Sequence, residues 1–117
     1  MATIRDVVDA LSRRAGVDAV VVVGSDGLPI DSRGPNGIDA ESVAALLPSA
    51  INGLAQLGHA GQRGDFSTGV IEFGAGMVVM SVLNADALLL VLVRPSANVG
   101  ELLYDLRRHR SAIAGLL

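Results

Sequence analysis

Two segments near the end of the chain, "MVVMSVL" at 77–83 and "ALLLVLV" at 87–93, are apolar at consecutive positions rather than at alternate ones. Short aliphatic and β-branched runs bounded by turn residues read as strands, whose side chains point alternately to opposite faces. A strand apolar on both faces has to be buried on both, so any sheet built from these segments needs cover on each side. An earlier run, "VDAVVVVG" at 17–24, looks equally buried and meets the glycine-bracketed loop "SDG" and then a second β-rich run, "LPIDSR". Asp-Gly between two such runs is a strong hairpin signal, because glycine accepts the positive φ of a tight turn.

Helical patterns supply the cover. Residues 3–15 place Ile4, Val7, Val8, Leu11 and Ala15 at i, i+3, i+4, i+7 spacing, with Thr3 and Asp6 as a capping box and Gly16 as the stop. Asp39 to Ala60 reads as a long helix with Asp39 as N-cap, an Ile38–Val43 hydrophobic staple and Pro48 inside it, which should kink it. Pro95 stops the last strand, Asn98 with Glu101 caps a closing helix, and Val99, Leu102, Leu103, Leu106, Ile113 and Leu117 line that helix. "FSTGVIEF" at 66–73 completes a three-strand meander through Gly74-Ala75-Gly76 and Asn84-Ala85-Asp86, both short enough for antiparallel hairpins.

The expected order is α-β-β-α-β-β-β-α in one domain, 1–117, of the α+β class, with a five-stranded, mostly antiparallel sheet. Three helices cannot share one face of so small a sheet, so at least one lies on the other. The long middle helix has an apolar surplus: one stripe runs through Val43, Leu47, Ile51 and Leu54, another through Leu46, Ala50, Gly53 and Leu57. A surface helix needs only one.

Composition narrows the function. The 117 residues contain no cysteine, which removes thiol catalysis, disulfides and cysteine-ligated metals. Aromatics make up 3% of the chain, leaving no platform for stacking bases or sugars. All nine basic residues are arginine and the net charge is −3, so nucleic acid is not an expected partner. The longest apolar run is far below the ~20 residues of a membrane span, and "MATIRDVVDALSRR" does not read as a secretory signal. A cytoplasmic protein with no membrane partner is expected.

No constellation for chemistry stands out. A Walker-type loop requires a lysine and a following helix, whereas Gly24-Ser25-Asp26-Gly27 runs into Leu28-Pro29-Ile30 in a lysine-free chain. His59 and His109 are isolated, the serines lie in no nucleophile motif, and the carboxylates match no metal spacing, so no catalytic residue, metal or cofactor is assigned. Arg107, Arg108 and Arg110 read as a solvated helix face, with an acidic partner or a transferring phosphate as the competing reading.

With this element order in hand, the sequence resembles the roadblock/dynein light-chain family over nearly its whole length. The resemblance is carried by "GVDAVVVVGSDGLPIDS", the "DAESVAALLPSAINGLAQLG" helix, the meander and "NVGELLYDLRRHR". It implies a profilin-like fold and a homodimer in which the middle helix meets its twin while the following strand pairs edge to edge. The candidate seam is Leu47, Ala50, Ile51 and Leu54 on the helix with Val70 and Glu72 on the strand; which of the two apolar stripes forms it stays open. It also implies a non-enzymatic regulator of a Ras-like small GTPase, acting by reshaping that partner rather than by inserting an arginine. A dimeric scaffold for other proteins is the alternative, and a small-molecule site is disfavoured by the aliphatic core. The arginine-rich, lysine-free composition fits a high-GC bacterial gene.

Overall fold

The computed structural model describes residues 2–34 and 37–117. The elements follow in the expected order: α1 (Ile4–Ser12), β1 (Val17–Gly24), β2 (Pro29–Arg33), α2 (Ala40–Ala60), β3 (Thr68–Phe73), β4 (Gly76–Asn84), β5 (Ala87–Val93) and α3 (Val99–Ala114). The five strands form one sheet in the order β2-β1-β5-β4-β3, and every pairing is antiparallel.

Both faces of the sheet are covered. Val20 and Val22 of β1, Val79 of β4, and Leu89 and Val91 of β5 form one cluster with Val8 and Leu11 of α1 and Leu102, Leu106 and Ile113 of α3. Their neighbours Val21, Val23, Met80, Leu88 and Leu90 form a second cluster with Ala44, Leu47 and Ile51 of α2. The register explains the division, since Val20 opposes Val91 and Val79 opposes the same residue, while Val21 and Met80 both oppose Leu90. Consecutive apolar positions therefore feed two cores separated by one sheet, α1 and α3 on one side and α2 on the other.

Local chemistry sets the helix starts. The Thr3 hydroxyl accepts from the Asp6 N–H at 3.2 Å while the Asp6 carboxylate accepts from the Thr3 N–H at 2.9 Å, closing the capping box. Asp39 accepts from the N–H groups of Glu41 and Ser42, and Asn98 from that of Glu101. Helix α1 is shorter than its periodicity implies, ending at Ser12 with Arg13 as C-cap; Gly16 then turns the chain with φ +85, so close to Ala97 that a Cβ there would lie 2.6 Å from the alanine methyl. Leu117 falls beyond α3 rather than on it.

Pro48 lies inside α2, which is helical on both sides of it. It sits where the β1–β2 turn reaches the helix: a Cβ on Gly27 would lie 3.8 Å from both the Ala44 carbonyl oxygen and the Pro48 ring. The carbonyl that the proline leaves without its helical donor therefore faces the hairpin turn and not the sheet. Strand β3 begins two residues later than the apolar pattern suggests, with Phe66 folded back over Gly69, where an added Cβ would lie 3.2 Å from the ring.

Candidate functional site

The glycine-bracketed loop is a hairpin bend. The Gly24 N–H donates to the Leu28 carbonyl and the Gly27 N–H to the Gly24 carbonyl, each at 2.9 Å, and the Leu28 N–H donates to the Asp26 carboxylate at 3.0 Å. Gly27 has φ +82, the conformation for which the turn requires glycine. A loop whose side-chain acceptor is a carboxylate repels phosphate.

The histidines and arginines are likewise dispersed. His59 Nε2 lies 3.2 Å from Asp65 Oδ1 at the end of α2, with both side chains exposed. Arg110 donates to the Ser67 hydroxyl at 2.6 Å, tying α3 to the segment before β3, and the Arg108 guanidinium sits 5.6 Å from the centroid of the Tyr104 ring. Among the described residues no group of His, Asp and Glu side chains is placed to hold a metal ion.

Helix α2 and strand β3 are where the apolar chemistry is unfinished. Of the seam candidates, Leu47 and Ile51 are 3% and 9% exposed against the chain's own sheet, and Leu54 is half-buried in the same cluster. The stripe through Val43, Leu47, Ile51 and Leu54 is thus spent on the internal core, which takes Leu47 and Ile51 away from any outer surface. Ala50 points outward on the other stripe, together with Gly53, and there Leu46 and Leu57 are 72% and 68% exposed.

Among the described residues, strand β3 has β4 on one side and a free edge on the other. Val70 and Glu72 oppose Val79 and Met77, on the α1/α3 face, and are exposed at this edge. Ile71 and Phe73 are on the α2 face, 37% and 58% exposed. They share with Val43, Leu46 and Ala50 an apolar trough of about 270 Å³ whose floor is Val78 and Met80. An open strand edge, a trough without polar lining and a row of outward apolar residues lie together on one side of the molecule. Sequence reasoning named Leu46 and Leu57 only as an alternative stripe and passed over Ile71 and Phe73, although the alternation of "TGVIEF" against β4 was the signal available.

Residues 3–93 match the family model of the Roadblock/LC7 domain. The chain belongs to the Roadblock/LC7 family. Its roadblock fold is similar to that of Myxococcus xanthus MglB, with a TM-score of 0.86 at 20% identity over 97% of this chain and 93% of that one. A Roadblock/LC7 domain from Streptomyces avermitilis superposes with a TM-score of 0.83 at 21% identity, covering 96% of this chain and 95% of that one. In sequence, the roadblock chain is 28% identical over 106 residues to the uncharacterized protein MJ0310 of Methanocaldococcus jannaschii, covering 91% of this chain and 92% of that one. The five-stranded antiparallel sheet with helices on both faces is the α+β, profilin-like architecture of this family. No helix of the described residues is long and apolar enough to cross a membrane.

Proposed function

We propose that this chain is a homodimeric, non-enzymatic regulator that binds a Ras-like small GTPase. The single observation that carries the reading is the coincidence of an open β3 edge, the α2–β3 trough and the outward stripe of Leu46, Ala50, Gly53 and Leu57 on one side. A second copy would satisfy all three at once. Its β3 would take up the unpaired edge groups, and its α2 would cover the exposed leucines across a two-fold axis, giving an isologous seam. In this dimer Ala50, Val70 and Glu72 stay at the seam while Leu47 and Ile51 stiffen the helix from beneath.

Family membership supports the GTPase half, since Roadblock/LC7 domains are regulators and adaptors and the fold matches MglB. The regulator acts by binding one conformation of its partner more tightly, which shifts the population toward it. Arg110 is held by Ser67 and Arg108 lies over Tyr104, an arrangement that favours this route over an inserted arginine. The test is capture from the source cell's lysate on the immobilised protein with a GTP analogue, with GDP and without nucleotide. Preferential retention of a Ras-like GTPase with the GTP analogue supports the regulator. Equal retention of a non-GTPase protein in all three conditions overturns it in favour of a dimeric scaffold.

A further inference from the structure

The free edge of β3 carries a charge that its own chain leaves unanswered. Glu72 is exposed on the α1/α3 face of this edge and meets no basic group within 4.0 Å among the described residues. Arg107 and Arg110 of α3 likewise meet no carboxylate within that distance. Arg110 donates instead to the Ser67 hydroxyl, which sets the C-terminal half of α3 beside the start of β3, and Arg107, one helical turn earlier, shares that flank. Glu72 lies four residues beyond Thr68, about 13 Å along the strand, so the arginine flank is toward the opposite end of the edge from it.

The hydrogen-bond pattern limits how a second copy can pair with this edge. The Val82 N–H donates to the Ser67 carbonyl, and Phe73 pairs with Gly76 across the two-residue turn. Backbone groups alternate in direction along an antiparallel strand, so Ser67, Gly69, Ile71 and Phe73 turn theirs to β4 while Thr68, Val70 and Glu72 turn theirs to the open side. Two-fold pairing of two such edges joins these three residues to the same three. Only a register centred on Val70 uses them all: Val70 opposes Val70, and Glu72 opposes the partner's Thr68. Centring on Glu72 would set two carboxylates against each other. In the Val70 register opposite Cβ atoms are about 5 Å apart, which brings each Glu72 to the other copy's Ser67 corner, where Arg107 and Arg110 project.

We propose that Glu72 pairs across the two-fold axis with Arg107 and Arg110 of a second copy, and that these reciprocal contacts select the chain's own edge over the edges of other proteins. The inference rests on the homodimer of the proposed function and adds its register and its selectivity. The α2–β3 trough and the outward leucines are apolar and accept any apolar surface of fitting shape. A carboxylate on a strand edge, in contrast, resists pairing with an edge that brings no cation to meet it. The contacts lie at the rim, where an ion pair adds little affinity while a like-charge meeting excludes a wrong partner.

The test is charge reversal in the full chain, read by sedimentation equilibrium at low salt. Glu72→Arg and Arg107→Glu change exposed residues, so both variants should keep the wild-type circular dichroism. Alone, Glu72→Arg sets like charges together twice and should weaken self-association about tenfold, and Arg107→Glu about threefold because Arg110 remains. An equimolar mixture of the two variants restores both contacts in a heterodimer and should associate more tightly than either variant alone, as should the double variant Glu72→Arg/Arg107→Glu. The register is read separately, since the chain has no cysteine. Val70→Cys should oxidise to a covalent dimer, whereas Thr68→Cys, about 13 Å from its counterpart in this register, should not. Wild-type protein that stays a monomer throughout, leaving the edge to a different protein, overturns the homodimer reading and this pairing with it. A wild-type dimer indifferent to both reversals, a mixture no tighter than its separate variants, or Thr68→Cys that cross-links as readily as Val70→Cys overturns the pairing and leaves the dimer standing.

Discussion

Leu46 separates a dimer seam from an ordinary exposed leucine. It is 72% exposed in the single chain, so most of the ~2 kcal/mol gained by fully burying a leucine is still available to a partner. In a two-fold dimer the position occurs twice. Leu46→Ala, which keeps part of the contact, should weaken dimerisation by about 2 kcal/mol, roughly thirtyfold in Kd. Leu46→Glu buries a carboxylate on each side of the seam without counter-charge, costing several kcal/mol more and leaving a monomer at micromolar concentration. An exposed helical position costs the monomer itself only about 0.5 kcal/mol, so the variant should keep its helical circular dichroism. Ile51→Ala is the control: it opens a cavity in the internal core, lowering stability by about 2–5 kcal/mol without touching the seam. Sedimentation equilibrium over a concentration series reads each Kd. Wild-type protein that stays at 12.0 kDa throughout, or Leu46→Glu with an unchanged Kd, would refute the reasoning.

Three further outcomes follow from the geometry. Gly76→Ala should lower stability by more than about 2 kcal/mol in a urea titration, because φ is +149 and the new Cβ would sit 2.3 Å from the Val93 carbonyl oxygen; an unchanged midpoint would contradict this placement. Asp39→Ala should lower Tm while Asp39→Asn largely restores it, since only an acceptor for the Ser42 and Glu41 N–H groups is needed. Hydrogen bonds from the Ser42 side chain and backbone hold the Asp39 carboxyl below its ordinary 3.8, so its contribution is complete above that pH and lost as pH falls through the lower folded value. Thermal melts of wild type and Asp39→Asn between neutral and acidic pH should converge as Asp39 protonates; parallel curves would contradict it. Arg14→Ala should loosen the α1–α3 contact, seen as faster amide exchange at α1 than in β1 or β5, and uniform protection would count against that role.

What the sequence made legible is what short-range chemistry decides. Thr3 with Asp6, Asp39 with Ser42 and Asn98 with Glu101 lie within three residues of one another, so each cap could be read directly. The two-sided sheet followed from consecutive apolar residues, which a one-faced sheet would have to expose. The orientation of α2 was not legible, because its two stripes are almost equally apolar and the choice depends on which row reaches Val21, Met80 and Leu90 across long sequence separations. Naming Leu47 and Ile51 as seam residues followed from that ambiguity. Val70 and Glu72 are exposed on strand β3, and Ile71 and Phe73 line a trough that exists only once β4 has paired with β3. The α1–α3 contact was likewise hidden, since the Arg14–Asp105 pair that spans it joins residues 91 positions apart.

Single-turnover GTP hydrolysis by the captured companion GTPase, measured alone and with increasing amounts of this protein, tests the central claim most directly. The account predicts faster hydrolysis, or unchanged hydrolysis with saturable binding selective for the GTP-bound form, and loss of either effect in Leu46→Glu. Hydrolysis and binding both indifferent to the protein would contradict it.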